Sequence, residues 1–145
     1  MALKNYTTEV LINKTISEIH LMLADHGARK IMFDYFSDGK IQAVCFSIDT
    51  PSGERGIKLP ANAERVLEVL RRQKENPRVR GNIIDTAEQA ERVAWRIVKD
   101  WLSSQLAILE TEMVEIEQLF LPYMVTRSGQ TLYEAYCGGT LMLPE

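Results

Sequence analysis

The sequence predicts an α+β fold, a small antiparallel β-meander with an N-terminal helix and a long C-terminal helix. Three observations predict it. Residues 28–59 hold three short runs with strand patterning, separated by the turn signals Asp38-Gly39 and Pro51-Ser52-Gly53. Two stretches open with the hydroxyl-x-x-acid/amide pattern of a helix start, Thr15-Ile16-Ser17-Glu18 and Thr86-Ala87-Glu88-Gln89. The second is followed, to about Leu119, by a run without proline or glycine.

Taken in order, Tyr6 to Ile12 is rich in β-branched residues and reads as a short strand. The first helix is expected over 16–26, with Ile16, Ile19 and Leu23 at helical spacing and Gly27 as its stop. From Ala28 to Phe36 the chain alternates, with Ile31, Phe33 and Tyr35 on one side and Lys30, Met32 and Asp34 on the other. Lys40 to Asp49 is apolar on both parities, the pattern of a central strand covered on two faces. Glu54 to Leu59 completes the meander, with Arg55, Ile57 and Leu59 sharing a side and Pro60 ending it. A second helix starts after Asn62, a good cap, and carries Val66, Leu67 and Leu70 on one face. It decays into a basic stretch, Arg71 to Arg80, and a loop marked by Asn76-Pro77 and Gly81-Asn82 that is expected to be mobile.

The last helix carries an apolar stripe of Ala90, Ala94, Ile97, Trp101 and Ile108. If continuous it spans about 34 residues, or about 50 Å, against a radius of gyration of about 15 Å for a chain of this size. It must then project, break near Ser103-Ser104, or pack on another subunit, and the expectation is that sister copies cover it in a homo-oligomer. Residues 121–145, with Tyr123, Met124, Tyr133, Tyr136, Leu141 and Met142, read as a hairpin or arm. The whole is expected to be one domain: 1–80 a sheet with two helices, 86–120 the long helix, 121–145 the arm.

Composition narrows the class. At 145 residues, 46% hydrophobic and a formal net charge of −3, the chain is globular and not coated in phosphate-binding charge, which leaves local basic patches open. Two cysteines are too few for a disulfide framework, and no run of about 18 apolar residues can cross a bilayer. With no signal peptide visible, the expected compartment is cytoplasmic. Cys45, in an apolar strand, reads as a small core residue.

Catalytic patterns are scarce. His20 and His26 stand six apart, the wrong spacing for ligands on one helical face, and no nucleophile elbow, zinc-protease or phosphate-loop motif is present. Glu110, Glu112, Glu115 and Glu117 read as a solvated acidic face of the long helix. No enzyme, metal or cofactor is expected.

The cations carry more. Arg65, Arg71, Arg72, Lys74, Arg78 and Arg80 crowd the end of the second helix and its loop. Arg92, Arg96 and Lys99 form one stripe on the long helix beside Trp95 and Trp101. Guanidinium forks next to an indole suit phosphate gripping and base stacking, so Arg92, Arg96, Lys99 and Trp95 are the candidate ligand residues, with Arg29 and Arg55 of the meander as further members. The competing reading of the stripe is an ordinary charged helix face, in which Glu88 pairs with Arg92.

The segments Lys4-Asn5-Tyr6-Thr7-Thr8, Lys58-Leu59-Pro60-Ala61-Asn62, 90–101 and Leu121-Pro122-Tyr123-Met124 resemble those of small accessory proteins in prophages of gut Firmicutes. In size and layout the chain also resembles the Thoeris anti-defence sponge proteins. That resemblance implies an oligomeric, cytoplasmic phage protein that sequesters a cyclic ADP-ribose isomer or another cyclic nucleotide signal without cleaving it. The alternative is a module binding single-stranded nucleic acid or protein, such as a replication or recombination accessory or a CRISPR inhibitor.

Overall fold

The computed structural model describes residues 1–139 and 143–144. The chain is α+β: α1 (Ile12–Asp25), β1 (Lys30–Tyr35), β2 (Ile41–Thr50), β3 (Gly53–Pro60), α2 (Ala63–Glu75), α3 (Ala87–Glu110), α4 (Ile116–Phe120), a 3-10 turn (Leu121–Tyr123) and α5 (Leu132–Cys137). These elements form two compact units, Met1–Met22 with Ala61–Ser104, and Leu23–Pro60 with Gln105–Glu145.

The second unit holds the meander, an antiparallel sheet of order β1-β2-β3. The Asp38-Gly39 turn closes the first hairpin: Phe36 donates to the Lys40 carbonyl at 2.8 Å, and Gly39 takes a positive φ of 87° that glycine adopts without penalty. Register places Phe33 opposite Val44 and Phe46 opposite Ile57, so the apolar parity of each strand falls on one face. Val44, Phe46, Ile48, Ile57 and Leu59 are buried there, and Phe120 meets Phe46 edge to face with ring centroids 5.8 Å apart. β2 is central, as its composition predicts, yet only Ala43 is buried on its other parity; Cys45 and Ser47 are half covered. The terminal segment, expected as a hairpin or arm, makes only single bridges among the described residues: Met124 bridges to Ile57, Val125 bridges to Thr131, and Val125 donates to the Gly56 carbonyl at 2.9 Å. It then continues into α5 through a capping box of Thr131 and Glu134. Leu141 and Met142, assigned to the arm, lie outside the described residues.

In the first unit, Asn62 caps α2 as predicted, its side chain accepting from the Arg65 amide at 3.1 Å. Thr86 caps α3, accepting from the Gln89 amide at 3.2 Å, but Gln89 does not reach back. Its carboxamide is buried and donates instead to the carbonyls of Tyr6 (3.0 Å) and Thr8 (2.9 Å). That clamp, with Asn5 at φ 64°, folds residues 3–8 into turns, so the strand predicted over Tyr6–Ile12 does not form. Nor is Thr15 a cap. α1 begins three residues earlier, and Thr15 sits fully buried inside it.

The largest departure concerns α3. It has 24 residues, about 36 Å of helix, and no break at Ser103-Ser104. The chain turns at 111–115 instead, with Glu112 at φ 59° and the Thr111 hydroxyl bonded to the Ile108 carbonyl. From Gln89 to Leu102 no residue is exposed, and of the predicted stripe Ala90 and Ala94 are buried and Ile97, Trp101 and Ile108 half-buried within the single chain. The premise that sister copies must cover this helix therefore does not hold.

Candidate functional site

The α3 stripe is part of the internal fabric of the first unit. Trp95 is 1% exposed, in a position where an indole packs and cannot stack on a ligand. Arg96 donates to Glu18 on α1 at 2.6 Å and reaches the Thr15 hydroxyl at 3.4 Å. Lys99 stands 3.9 Å from the same Glu18 carboxylate and 3.8 Å from Asp100. Arg92 lies 3.8 Å from Glu88, as the charged-face reading has it, and donates to the Gln89 side chain at 3.3 Å. Three cations placed on one face are thus held by carboxylates and a carboxamide of their own unit, and Trp95, named as the stacking residue, is a core residue.

Asp100 extends this network. It accepts from the Asn5 side-chain carboxamide at 2.9 Å and lies 3.5 Å from Lys4, which fastens the N-terminal turn to α3. Burial alone would raise its carboxyl, but the Asn5 hydrogen bond and the charges of Lys4 and Lys99 outweigh that and hold it below the ordinary carboxylate range. A lowered folded pKa stabilises the fold above the ordinary value of about 4, and the contribution disappears as pH falls through the depressed one. Acid unfolding is therefore expected to set in below about pH 4 and to be less steep in Asp100→Asn, as a pH series of thermal melts would show.

Arg29 and Arg55, the other two candidates, belong to the meander's unit and are engaged by separate partners. Arg29 faces Asp49 at 3.4 Å, and Arg55 turns back on its own hairpin, donating to the Ser52 carbonyl at 2.8 Å. Lys30 and Lys58 occupy the outer sheet face, where they help line an open depression of about 450 Å³ with Met32, Asp34, Cys45 and Val125. Lys58 stands 3.8 Å from Asp34, and the Cys45 thiol donates to Asp34 at 3.6 Å. Burial, then the Asp34 charge and hydrogen bond, push the Cys45 thiol up to about 11, against a smaller opposing pull from Lys58. At pH 8 about one molecule in a thousand carries the thiolate, against about a quarter for an ordinary cysteine. Alkylation by iodoacetamide at that pH, followed by peptide mass spectrometry, is expected to label exposed Cys137 first and Cys45 at least about 100-fold more slowly than a free thiol. Equal labelling would contradict the burial of Cys45 together with its Asp34 contact.

The acidic residues do not share a helix face, because α3 ends at Glu110. Glu110 pairs with His26 at 2.6 Å, Glu112 forms the turn, Glu115 caps α4 in a box with Gln118, and Glu117 accepts from Ser52 at 3.2 Å. No group of three metal-ligating side chains gathers among the described residues. No helix among them is long and apolar enough to cross a membrane.

What remains is the basic end of α2. Arg71, Arg72, Arg78 and Arg80 are exposed. Lys74 bridges to Asp85 at 2.9 Å, tying the loop back to the helix, and this hydrogen bond holds the Asp85 carboxyl low, with a smaller pull from Arg71. The loop is anchored at further points. Asn76 caps it through its side chain to the Arg78 amide at 2.9 Å, while Val79 packs on the cluster of Leu70, Ile83 and Ala90 beside Tyr6. Gly81, at φ 124°, passes so close to the Tyr6 hydroxyl that a β-carbon there would collide with it. With Val79 turned inward, its neighbours Arg78 and Arg80 are left at the surface. Among the described residues, Arg72, Arg78 and Arg80 make no ion pair. The sequence shows this cluster as a crowd of cations, but only the paired state of the α3 stripe makes it the freer of the two.

Compared with known protein families, curated proteins and solved structures, the chain matches none.

Proposed function

We propose that this chain is a non-enzymatic accessory protein, of the prophage kind its sequence resembles, that captures a phosphate-bearing, nucleotide-derived ligand without turning it over. In this reading the grip is the basic end of α2. The observation that carries it is that Arg72, Arg78 and Arg80 stand exposed and without an ion-pair partner among the described residues, in a chain of net charge −3. Guanidinium forks left in water on an anchored loop are poised for phosphate oxygens, to which they donate two bonds at once. The Lys74–Asp85 bridge and the half-buried Val79 fix the loop in advance, which lowers the ordering cost of binding.

Sequestration of a cyclic ADP-ribose isomer or a cyclic oligonucleotide is the form that the sponge resemblance implies. Capture of single-stranded nucleic acid uses the same phosphate chemistry and is favoured by the open, extended placement of the arginines along a helix end and loop. Calorimetric titration of the full chain with cyclic ADP-ribose isomers, cyclic di- and trinucleotides and a short oligothymidylate, at three salt concentrations, separates them. A cyclic nucleotide that binds with shallow salt dependence and is recovered intact supports the sponge. Steep weakening with salt and preference for the oligomer moves the assignment to a strand binder. Flat titrations throughout remove the anion site.

A further inference from the structure

The free edge of the sheet carries a self-complementary strand. β1 pairs only with β2, so half of its backbone amides and carbonyls face away from any strand among the described residues. An edge of this kind is a template for another strand. Natural proteins usually blunt it with charge, and β1 has charges on its outer face at Lys30 and Asp34, two residues either side of Met32.

Those charges are opposite in sign and symmetric about Met32, and this selects one partner. We propose that β1 pairs antiparallel with β1 of a second copy about a two-fold axis through Met32. Lys30 then faces the partner's Asp34, Asp34 faces the partner's Lys30, Ile31 faces the partner's Phe33, and the two Met32 side chains meet on the axis. Side-chain parity is kept, so polar faces polar and apolar faces apolar. Competing registers are penalised. Moving the axis by one residue, to Ile31 or Phe33, sets Lys30 and Asp34 opposite neutral residues. Moving it by two, to Lys30 or Asp34, sets like charges face to face.

Within one chain the two charges are weakly engaged and open to exchange. Lys30 has a side chain 80% exposed and stands 4.0 Å from Glu54, and Asp34 stands 3.8 Å from Lys58. Met32 is 57% exposed, an apolar side chain that the symmetric contact would cover. Edge pairing is independent of the anion site, which lies in the other unit, so the two proposals fail separately.

Sedimentation of the full chain across a concentration series tests it. The expected result is a mass that climbs from 16.5 kDa towards about 33 kDa, twice one chain. Lys30→Asp and Asp34→Lys are each expected to shift the midpoint at least tenfold towards monomer, and the double exchange to restore it, with circular dichroism reporting an intact fold. A chain that stays monomeric throughout overturns the proposal, as do single exchanges that leave the dimer unchanged or a double exchange that fails to recover it. In a Cys45→Ser, Cys137→Ser background, Met32→Cys is expected to form a disulfide-linked dimer on mild oxidation, because residues meeting on the axis come within disulfide reach. Absence of that cross-link would also overturn it.

Discussion

Replacing Trp95 with alanine is expected to cost about 3–5 kcal/mol of stability, a large share of what a domain of this size possesses. The side chain is the largest of those fully buried, at 1% exposure, on a helix with no exposed residue for its first three turns after Gln89. Removing it leaves a cavity that neighbours on a continuous helix cannot collapse into. Denaturant titration followed by circular dichroism would measure the loss, and Trp95→Phe, which keeps most of the volume, should recover more than half of it. The same pair of variants separates two roles. If Trp95 stacked on a ligand, alanine would lower affinity while leaving the unfolding midpoint near that of the parent.

The second large effect is expected at the Arg96–Glu18 pair. Arg96→Ala should destabilise by about 2–3 kcal/mol, because it strands a carboxylate whose side chain is 30% exposed and removes a charge-assisted bond of 2.6 Å. Glu18→Ala should cost a similar amount, since it deprives Arg96 of its carboxylate and Lys99 of one of its two. The surface pair Arg65–Glu68, with side chains 75% and 60% exposed, is the internal reference and should change stability by less than about 1 kcal/mol. A double-mutant cycle built on Glu18→Gln and Arg96→Met measures the coupling directly. A coupling no larger than that of the reference pair would mean that the α3 stripe is an ordinary solvated face.

These two expectations also show where the sequence was legible. The meander could be read because a period of two residues and an Asp-Gly turn are local signals, and both survive packing. The caps at Asn62 and Thr86 are equally local. The end of α3 was not legible, because no glycine or proline marks it. The turn is made by Glu112 in a left-handed conformation and by the Thr111 hydroxyl, neither of which stands out in sequence. The N-terminal segment has β-branched residues, but its backbone acceptors are taken by Gln89, 83 and 81 residues away. The false cap at Thr15 has the same origin: Glu18 is drawn to Arg96, 78 residues away.

The candidate site followed the same rule. A row of Arg92, Arg96 and Lys99 beside an indole has the composition of a ligand groove, and nothing local distinguishes it from a row whose counter-charge arrives from another helix. Charge that is spent inside the fold and charge that is left in water differ only in their partners, and partners are a tertiary property. The cluster from Arg71 to Arg80 was visible as composition. Its availability follows from Val79 turning inward and from Asp85 pairing with Lys74.

The most direct measurement is therefore a comparison of two variants on one ligand panel. Arg72→Ala/Arg78→Ala/Arg80→Ala, titrated with the cyclic nucleotides and the oligothymidylate, should lose at least tenfold in affinity, about 1.4 kcal/mol, with a melting temperature close to the parent's. Arg92→Ala, on the stripe, should bind as the parent does. A triple variant that binds as tightly as the parent, or a loss confined to Arg92→Ala, would contradict the assignment of the anion site to the end of α2.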